Sequence, residues 1–238
     1  MEKGNKRERF VLSVGGSLIV PNGGIAIPFL SGFNTFLRRR LKENPRRQFF
    51  IVAGGGLLAR HYRDAGREVI GRKLTDEDMD WLGIHATRLN AHLLRTIFCD
   101  IAHPYIIKHY DIIRKVTEPI AVAAGWKPGW STDYDAVLLA EDYHVDTVVN
   151  MSNIDHVYDK DPRTNPDAKP IEAISWKDYR KLVGKKWIPG MNAPFDPVAS
   201  ARAESLGLKV VVLKGDNWKN LERYFAGERF VGTVIGTS

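Results

Sequence analysis

Two stretches, VLSVGGS at 11–17 and FIVAGGG at 50–56, each run from an apolar strand pattern through a glycine cluster into a helical pattern. A strand that turns sharply into a helix is the repeating unit of a parallel α/β sheet, so these two stretches set the fold class. They also suggest a function. Glycine lets backbone N–H groups turn inward without a Cβ clash, and the partial positive charge of the helix N-terminus behind them stabilises an oligophosphate. One such turn is common for steric reasons alone, whereas a pair points to a nucleotide site.

Further apolar runs at 10–14, 49–53, 105–107, 120–124, 145–150 and 209–213 have helical segments between them. This alternation implies a largely parallel sheet covered on both faces. Helices are expected over 27–42 and 56–69. Another opens at Thr75, a good N-cap, with Asp76, Glu77 and Asp78 complementing the dipole of its first turn. Its apolar stripe of Met79, Leu82, Ala86, Leu89, Leu93 and Ile97 is expected to face the core. A neighbouring stripe of Asp80, Gly83, Thr87 and Ala91 can approach a ligand or another backbone. The segments 159–170 and 184–197 read as loops, and Pro197 suits the first turn of a helix starting at 196–198. A helix at 218–225 and a last strand at 230–235 close the chain.

The 238 residues are expected to form one domain over 1–238, with 1–8 as a flexible tail. Hydrophobic residues make up 44% and charged residues 26%, and no segment approaches the roughly 20 apolar residues that span a bilayer. No signal peptide or anchor is visible at the charged start. Cys99 is the sole cysteine, so no intramolecular disulfide forms, and a cytoplasmic location is expected. The net charge of +7 is concentrated at Arg38, Arg39, Arg40, Lys42, Arg46 and Arg47. No aromatic residues are interleaved there for base stacking, so the cluster reads as a solvated face and neither nucleic acid nor membrane is an expected partner.

No GK followed by Ser or Thr occurs, nor an HRD or DFG set, which excludes P-loop NTPases and protein kinases. There is no HExxH, no cysteine-rich zinc pattern and no lipase-type GxSxG elbow. His85, His92, His103 and His109 are read as surface or capping residues, and no protein-held metal is expected.

The order of the motifs carries more information than any one of them. VGGS at 14–17, AGGGLLAR at 53–60, DWLGIHATRLNA at 80–91, GWKPGWSTD at 125–133, NMSNIDHVYDKDP at 150–162, FDPVASA at 195–201 and GTVI at 232–235 follow one another along almost the whole chain. In this order and spacing the chain resembles the amino acid kinase family, most closely the archaeal-type branch of its uridylate (UMP) kinases. The resemblance implies a three-layer αβα sandwich with a mainly parallel central sheet. It also implies transfer of the γ-phosphoryl of ATP to UMP in pyrimidine nucleotide biosynthesis, and a homohexamer.

Residue by residue, the resemblance makes Gly15, Gly16, Ser17, Gly56 and Arg60 contacts to the ATP phosphates and Gly55 a contact to the acceptor phosphate. Asp80 matches the carboxylate that holds the UMP ribose. Trp126, Lys127, Pro128, Gly129, Trp130, Ser131 and Thr132 match the segment that wraps the acceptor nucleotide. Ser152, Asn153, Tyr158 and Asp161 fall where the family grips adenine and the ATP ribose. Phosphoryl transfer needs two anions positioned in line and the charge on the transferring group offset, which two opposed glycine turns and a guanidinium suit. Arg60 is accordingly a candidate catalytic cation, with a surface salt bridge as its plainer reading. Asp196 matches a carboxylate thought to order the catalytic cations, or serves as a helix cap. Mg2+ is expected to be held mainly by the ATP phosphates and water.

Three positions depart from the family pattern. Ser13 stands where many members carry a lysine; Lys127 is a candidate substitute, or else a solvated loop lysine. His156 replaces a glycine, so the adenine-side loop is expected to differ. Trp126 and Trp130 replace smaller or polar residues; stacking on a base, packing at a subunit contact and reshaping the pocket all remain open. Two other functions fit the same residues: a nucleotide-binding storage or regulatory relative without catalysis, and a kinase of the same fold acting on isopentenyl phosphate, carbamate or an acidic amino acid.

Overall fold

In the computed structural model, which describes residues 7–22, 24–186 and 193–236, β1 (Glu8–Val14) leads through a single helical turn, α1 (Gly16–Ile19), into α2 (Ile27–Glu43). β2 (Arg47–Ala53), α3 (Gly56–Ile70) and α4 (Asp76–Ile97) follow, then β3 (Ile120–Ala123), α5 (Thr132–Asp142) and β4 (Thr147–Ser152). The C-terminal part holds the short strands β5 (Val157–Tyr158), β6 (Pro170–Ile171) and β7 (Ala173–Ile174), the helices α6 (Trp176–Val183) and α7 (Pro197–Ser205), then β8 (Lys209–Lys214), α8 (Trp218–Phe225) and β9 (Thr233–Ile235). Seven strands form one sheet in the order β3-β2-β1-β4-β8-β9-β7. Its pairs are parallel except β8 with β9, and β5 pairs with β6 apart from it. The mainly parallel three-layer sandwich is therefore present.

Side chains alternate across the pleat and fill two separate cores. Val11, Phe50, Val52, Val148 and Val212 point to the face covered by α5, α6 and α7, whereas Leu12, Phe49, Ile51, Val149 and Leu213 point to the face covered by α2, α4 and α8. On the first face the apolar series is broken at the C-terminal ends of the central strands. Ser13 on β1 is in register with Asn150 on β4, and both are buried. Ligands of open α/β sheets bind beyond these strand ends, so two polar side chains here mark the floor of a site.

The two glycine turns lie directly against each other. A Cβ on Gly16 would come within 1.9 Å of the Gly56 nitrogen, and one on Gly54 within 2.4 Å of the Gly16 nitrogen. Gly56 has φ of +65°, which glycine adopts without strain. These glycines are thus required first for backbone-to-backbone packing, a role that a phosphate-turn reading by itself does not reveal.

Several expectations are corrected. In α4, Leu89 is 61% exposed, and the fully buried face instead includes Asp80, Gly83, Ile84, Thr87, Asn90, Ala91 and Leu94. Met79 and Ala86 are buried as expected, while Leu93 and Ile97 are partly buried against the core. The face is shifted because its polar members serve the loops: the Asn90 side-chain amide donates to the Gly54 carbonyl at 2.8 Å, and the Thr87 hydroxyl accepts from the Gly125 amide at 2.9 Å.

No strand forms at 105–107. Pro104 has no N–H to give a ladder, and the segment meets β3 through isolated bridges at Ala102 and Ile107. Residues 7 and 8 of the expected tail are held in the fold, since β1 begins at Glu8 and Arg7 donates to the Thr117 carbonyl at 2.7 Å; residues 1–6 lie outside the described residues. His103 is buried rather than superficial, with Nδ1 2.9 Å from Glu118. The basic cluster is laced with ion pairs, Arg38 to Asp100, Arg39 to Glu222, Arg40 to Glu43 and Arg47 to Glu8.

Gly16→Ala is expected to destabilise the protein by about 3 kcal/mol or more, because rigid backbone would have to move. For a chain of this size that lowers Tm by roughly 6–12 °C. Gly24→Ala, with open space around its Cβ, is the control and should leave the thermal melt unchanged.

Candidate active site

The C-terminal ends of β1, β2 and β4 open into a cleft of about 260 Å3, lined by both glycine turns, Arg60, Arg63, Asp80, Trp130, Ser131, Thr132, Asp133 and Asp196. The N-termini of α3, α5 and α7 all meet it. α5 and α7 are capped by their own side chains: Ser131 accepts from the Tyr134 amide, and Asp196 from the amides of Val198 and Ala199. α3 has no side-chain cap. The amides of Gly16, Ser17, Gly55 and Gly56 donate to nothing among the described residues, so unused N–H groups from two turns face one opening. Orphan donors at a helix start are the natural ligands of a phosphate.

Beside this cleft lies a second cavity of about 490 Å3. Ser152, Asn153, Ala193 and Pro194 line both spaces, so they form the shared wall. Tyr158 and Asp161 line the second cavity, where the Tyr158 hydroxyl donates to Asp155 at 2.8 Å and Asp161 pairs with Arg163. The backbone at His156 lies outside the left-handed region, which among the described non-glycine residues holds His144. Replacing a glycine at position 156 therefore requires no unusual backbone angle.

On the opposite wall two carboxylates meet. The Asp133 carboxylate accepts from the Ser13 hydroxyl at 3.3 Å and from the Asp196 amide at 3.1 Å. Burial, and next the neighbouring Asp196 carboxylate, push the Asp133 carboxyl up to about 7. Asp196 is also raised by burial, against the opposing effect of the Ser131 hydroxyl and of the two amides that it caps. Asp196 is thus both a helix cap and a wall of the cleft.

The acceptor segment divides in two. Trp130, Ser131 and Thr132 line the cleft, whereas Trp126, Lys127, Pro128 and Gly129 do not. Trp126 packs against the core and meets Trp130 edge to face, with ring centroids 4.9 Å apart. Lys127 Nζ lies 4.4 Å from the centroid of each ring, a cation–π seat, and Lys127 is not among the residues that line the cleft. As a substitute for the lysine expected at position 13, Lys127 is therefore misplaced. Asp80 is buried, and its Oδ2 accepts from the Gly129 amide at 2.7 Å, so it fastens the acceptor segment to α4. Burial raises the Asp80 carboxyl, and this amide and Arg63 oppose the shift.

Sequence reading did not select Arg63, Asp133 or Asn150. Asp133 closes the GWKPGWSTD motif and Asn150 opens NMSNIDHVYDKDP, so both were within sight. Arg63 is three residues after Arg60, a spacing that brings both to one side of α3.

This arrangement has relatives. The model of the amino acid kinase family matches residues 8–214. The chain belongs to the amino acid kinase family. It is 33% identical to the uridylate kinase of Methanospirillum hungatei over 94% of this chain and 93% of the relative, and 33% identical to that of Methanocorpusculum labreanum over 97% and 96%. The crystal structure of uridylate kinase from Archaeoglobus fulgidus superposes with a TM-score of 0.79 at 30% identity, covering 96% of this chain and all of that one. UMP kinase from Bacillus anthracis, 18% identical with a TM-score of 0.75, shares the fold. In this member of the amino acid kinase family the Ser13 hydroxyl is a donor to a carboxylate and carries no charge.

The raised Asp133 carboxyl sets a pH dependence. Its native value exceeds the ordinary 3.8, so between about 4 and 7 the native state holds a proton that the unfolded chain has released. The stability of the ligand-free protein should therefore fall as pH rises through that window. Asp133→Asn should flatten the fall, leaving the variant more stable than wild type at pH 8 and equal to it at pH 4, as read from urea melts.

Proposed function

We propose that the protein is a uridylate kinase, a nucleoside monophosphate kinase that transfers the γ-phosphoryl of ATP to UMP to give UDP and ADP in pyrimidine nucleotide biosynthesis. The observation that carries this reading is one row of unused amides from two glycine turns, with the Asp80 pocket on the acceptor side and the Tyr158–Asp161 cavity on the donor side. An acceptor phosphate on Gly55 and a donor triphosphate on Gly16, Ser17 and Gly56, beside Gly15 whose amide donates to the Met151 carbonyl, would then face each other in line. Arg60 supplies a guanidinium to the phosphate oxygens, and the α3 N-terminus adds its partial charge. Ser152 and Asn153 stand where the two nucleotides divide. Ser131 and Thr132 offer hydroxyls to the acceptor.

Among the described residues no group of three or more His, Cys, Asp or Glu is placed to hold a metal ion. Mg2+ would be carried mainly by the ATP phosphates and water, as the ion's preference for few protein carboxylates suggests, and Asp133 and Asp196 would accept from its water ligands. When bound, the ion would supply positive charge to the transferring group, and Asp196 and Asp133 are the carboxylates that would hold its water ligands.

We place the enzyme in the cytoplasm with its nucleotide substrates; among the described residues no helix is long and apolar enough to cross a membrane. A homohexamer is supported by the outer faces of α3 and α4. Ala59 is the one buried residue of α3, and Tyr62, Val69, Ile70, Trp81 and Leu89 are exposed apolar side chains on this pair of helices. Sedimentation should give six times the 26.9 kDa chain mass, and Leu89→Lys should give smaller particles.

A coupled ATP-turnover assay with UMP, CMP, dUMP, isopentenyl phosphate and glutamate tests the reaction. UMP should be the preferred acceptor and turnover should require magnesium. Arg60→Ala should lower kcat/KM by about 100-fold, the scale of a lost charge-stabilising donor, and Asp196→Ala should also reduce it. Preference for another acceptor would reassign the enzyme within its fold. ATP or UMP binding without turnover would make it a non-catalytic relative, the reading that Ser13 favours.

A further inference from the structure

Arg63 occupies the cleft without a part in the mechanism above. It follows Arg60 by one turn of α3, and its Nε donates to the Met79 carbonyl at 2.8 Å, which carries the guanidinium across to α4. Its Nη groups donate no hydrogen bond among the described residues. The guanidinium rests on Gly83, where a Cβ would lie 2.1 Å from Nη2 and 3.0 Å from Cζ. The same Gly83 places its carbonyl oxygen 3.5 Å from the position of a Cβ on Gly55. Arg63 therefore stands about one residue's thickness from the turn whose amides are unused.

The guanidinium is half-buried, and its idle Nη donors are not sealed from the cleft that Arg63 lines, so they are available to an anion there. Burial works against the charge of Arg63, and Asp80 partly offsets this through space. Asp80 does not satisfy the fork, since no ion pair joins the two and Oδ2 is taken by the Gly129 amide. A phosphate matches what remains: an oxyanion in the cleft that Arg63 and Gly55 both line can accept from the guanidinium and from the Gly55 amide. We propose that Arg63 is an acceptor-binding residue that takes the phosphate of the acceptor nucleotide, beside Arg60 on the ATP phosphates, an inference that rests on the kinase reading above. With Ser13 uncharged, the two arginines are the cations that the described cleft offers.

Gly83 makes the inference testable in two independent ways. Arg63→Gln removes the charge directly. Gly83→Ala puts a methyl group where Nη2 now lies and, because the guanidinium is the free end of a flexible side chain, displaces it while improving helix propensity. Calorimetric titration of UMP, uridine and ATP into wild type and both variants separates the contacts. Each variant should bind UMP at least about 10-fold more weakly, bind uridine and ATP within about twofold of wild type, and the double variant should add nothing. Gly83→Ala should keep the wild-type Tm. UMP affinity unchanged in either variant overturns the assignment, as does an equal loss for uridine, which would put Arg63 on the nucleoside rather than the phosphate. Wild type that turns over UMP beside an unaffected Arg63→Gln sinks this inference alone; wild type that neither binds nor phosphorylates UMP removes the kinase reading and the inference with it.

Discussion

The contact between the Gly16 backbone and the backbone of Gly54 and Gly56 is the constraint on which the rest of the molecule depends. With no Cβ on either side, the ends of β1 and β2 close to main-chain contact, and the Gly54 amide donates to the Val14 carbonyl at 2.9 Å. That closeness puts two sets of helix-start amides around one opening. A single methyl group in the contact would separate them, so the packing of these three glycines fixes where the unused amides of Gly16 and Gly56 lie.

Charge in the cleft is divided between its walls. Amides and arginines lie along α1, α3 and the glycine turns; Asp133 and Asp196 lie at the starts of α5 and α7. The helix N-termini favour ionised carboxylates, whereas burial and their mutual repulsion disfavour them. A divalent cation carried in by a nucleotide would relieve that repulsion. Ser13 belongs to this wall. Its hydroxyl satisfies Asp133 without neutralising it, and the positive charge in the cleft comes from Arg60 and Arg63 on the other side.

The acceptor segment is an irregular loop held like an element of secondary structure. The Tyr110 hydroxyl donates to the Ala124 carbonyl, Thr87 accepts from the Gly125 amide, Arg88 donates to the Gly125 and Trp126 carbonyls, and Asp80 accepts from the Gly129 amide. Polar side chains on the buried face of α4 thereby replace the ladder that a strand would provide. Trp126, Lys127 and Trp130 then stack into a rigid outer layer, which leaves Trp130 on the cleft. Trp126 packs against the core of its own chain, which is none of the three roles open to these tryptophans, and Trp130 lines the cleft.

Periodicity and glycine placement determined the parallel sheet, the order of its main helices and both turns, because these depend on local pattern: strand runs, the Thr75 cap, and Pro197 after Asp196. Family resemblance assigned roles to Arg60, Asp80, Asp196 and the donor-side residues, and the structure brings Arg60, Asp80 and Asp196 to one cleft. Tertiary structure decided what depends on neighbours distant in sequence. It turned the polar stripe of α4 inward, because Thr87 and Asn90 find loop backbone to bond, and left Leu89 outside. It reduced 105–107 to bridges at the sheet edge, and it drew Lys127 onto two indole rings instead of the phosphate turns. It placed Arg63 in the cleft because residue 83, on another helix, has no side chain to exclude it. A single sequence reports which groups a chain carries and how they repeat, but which of them share a space is fixed by packing between elements.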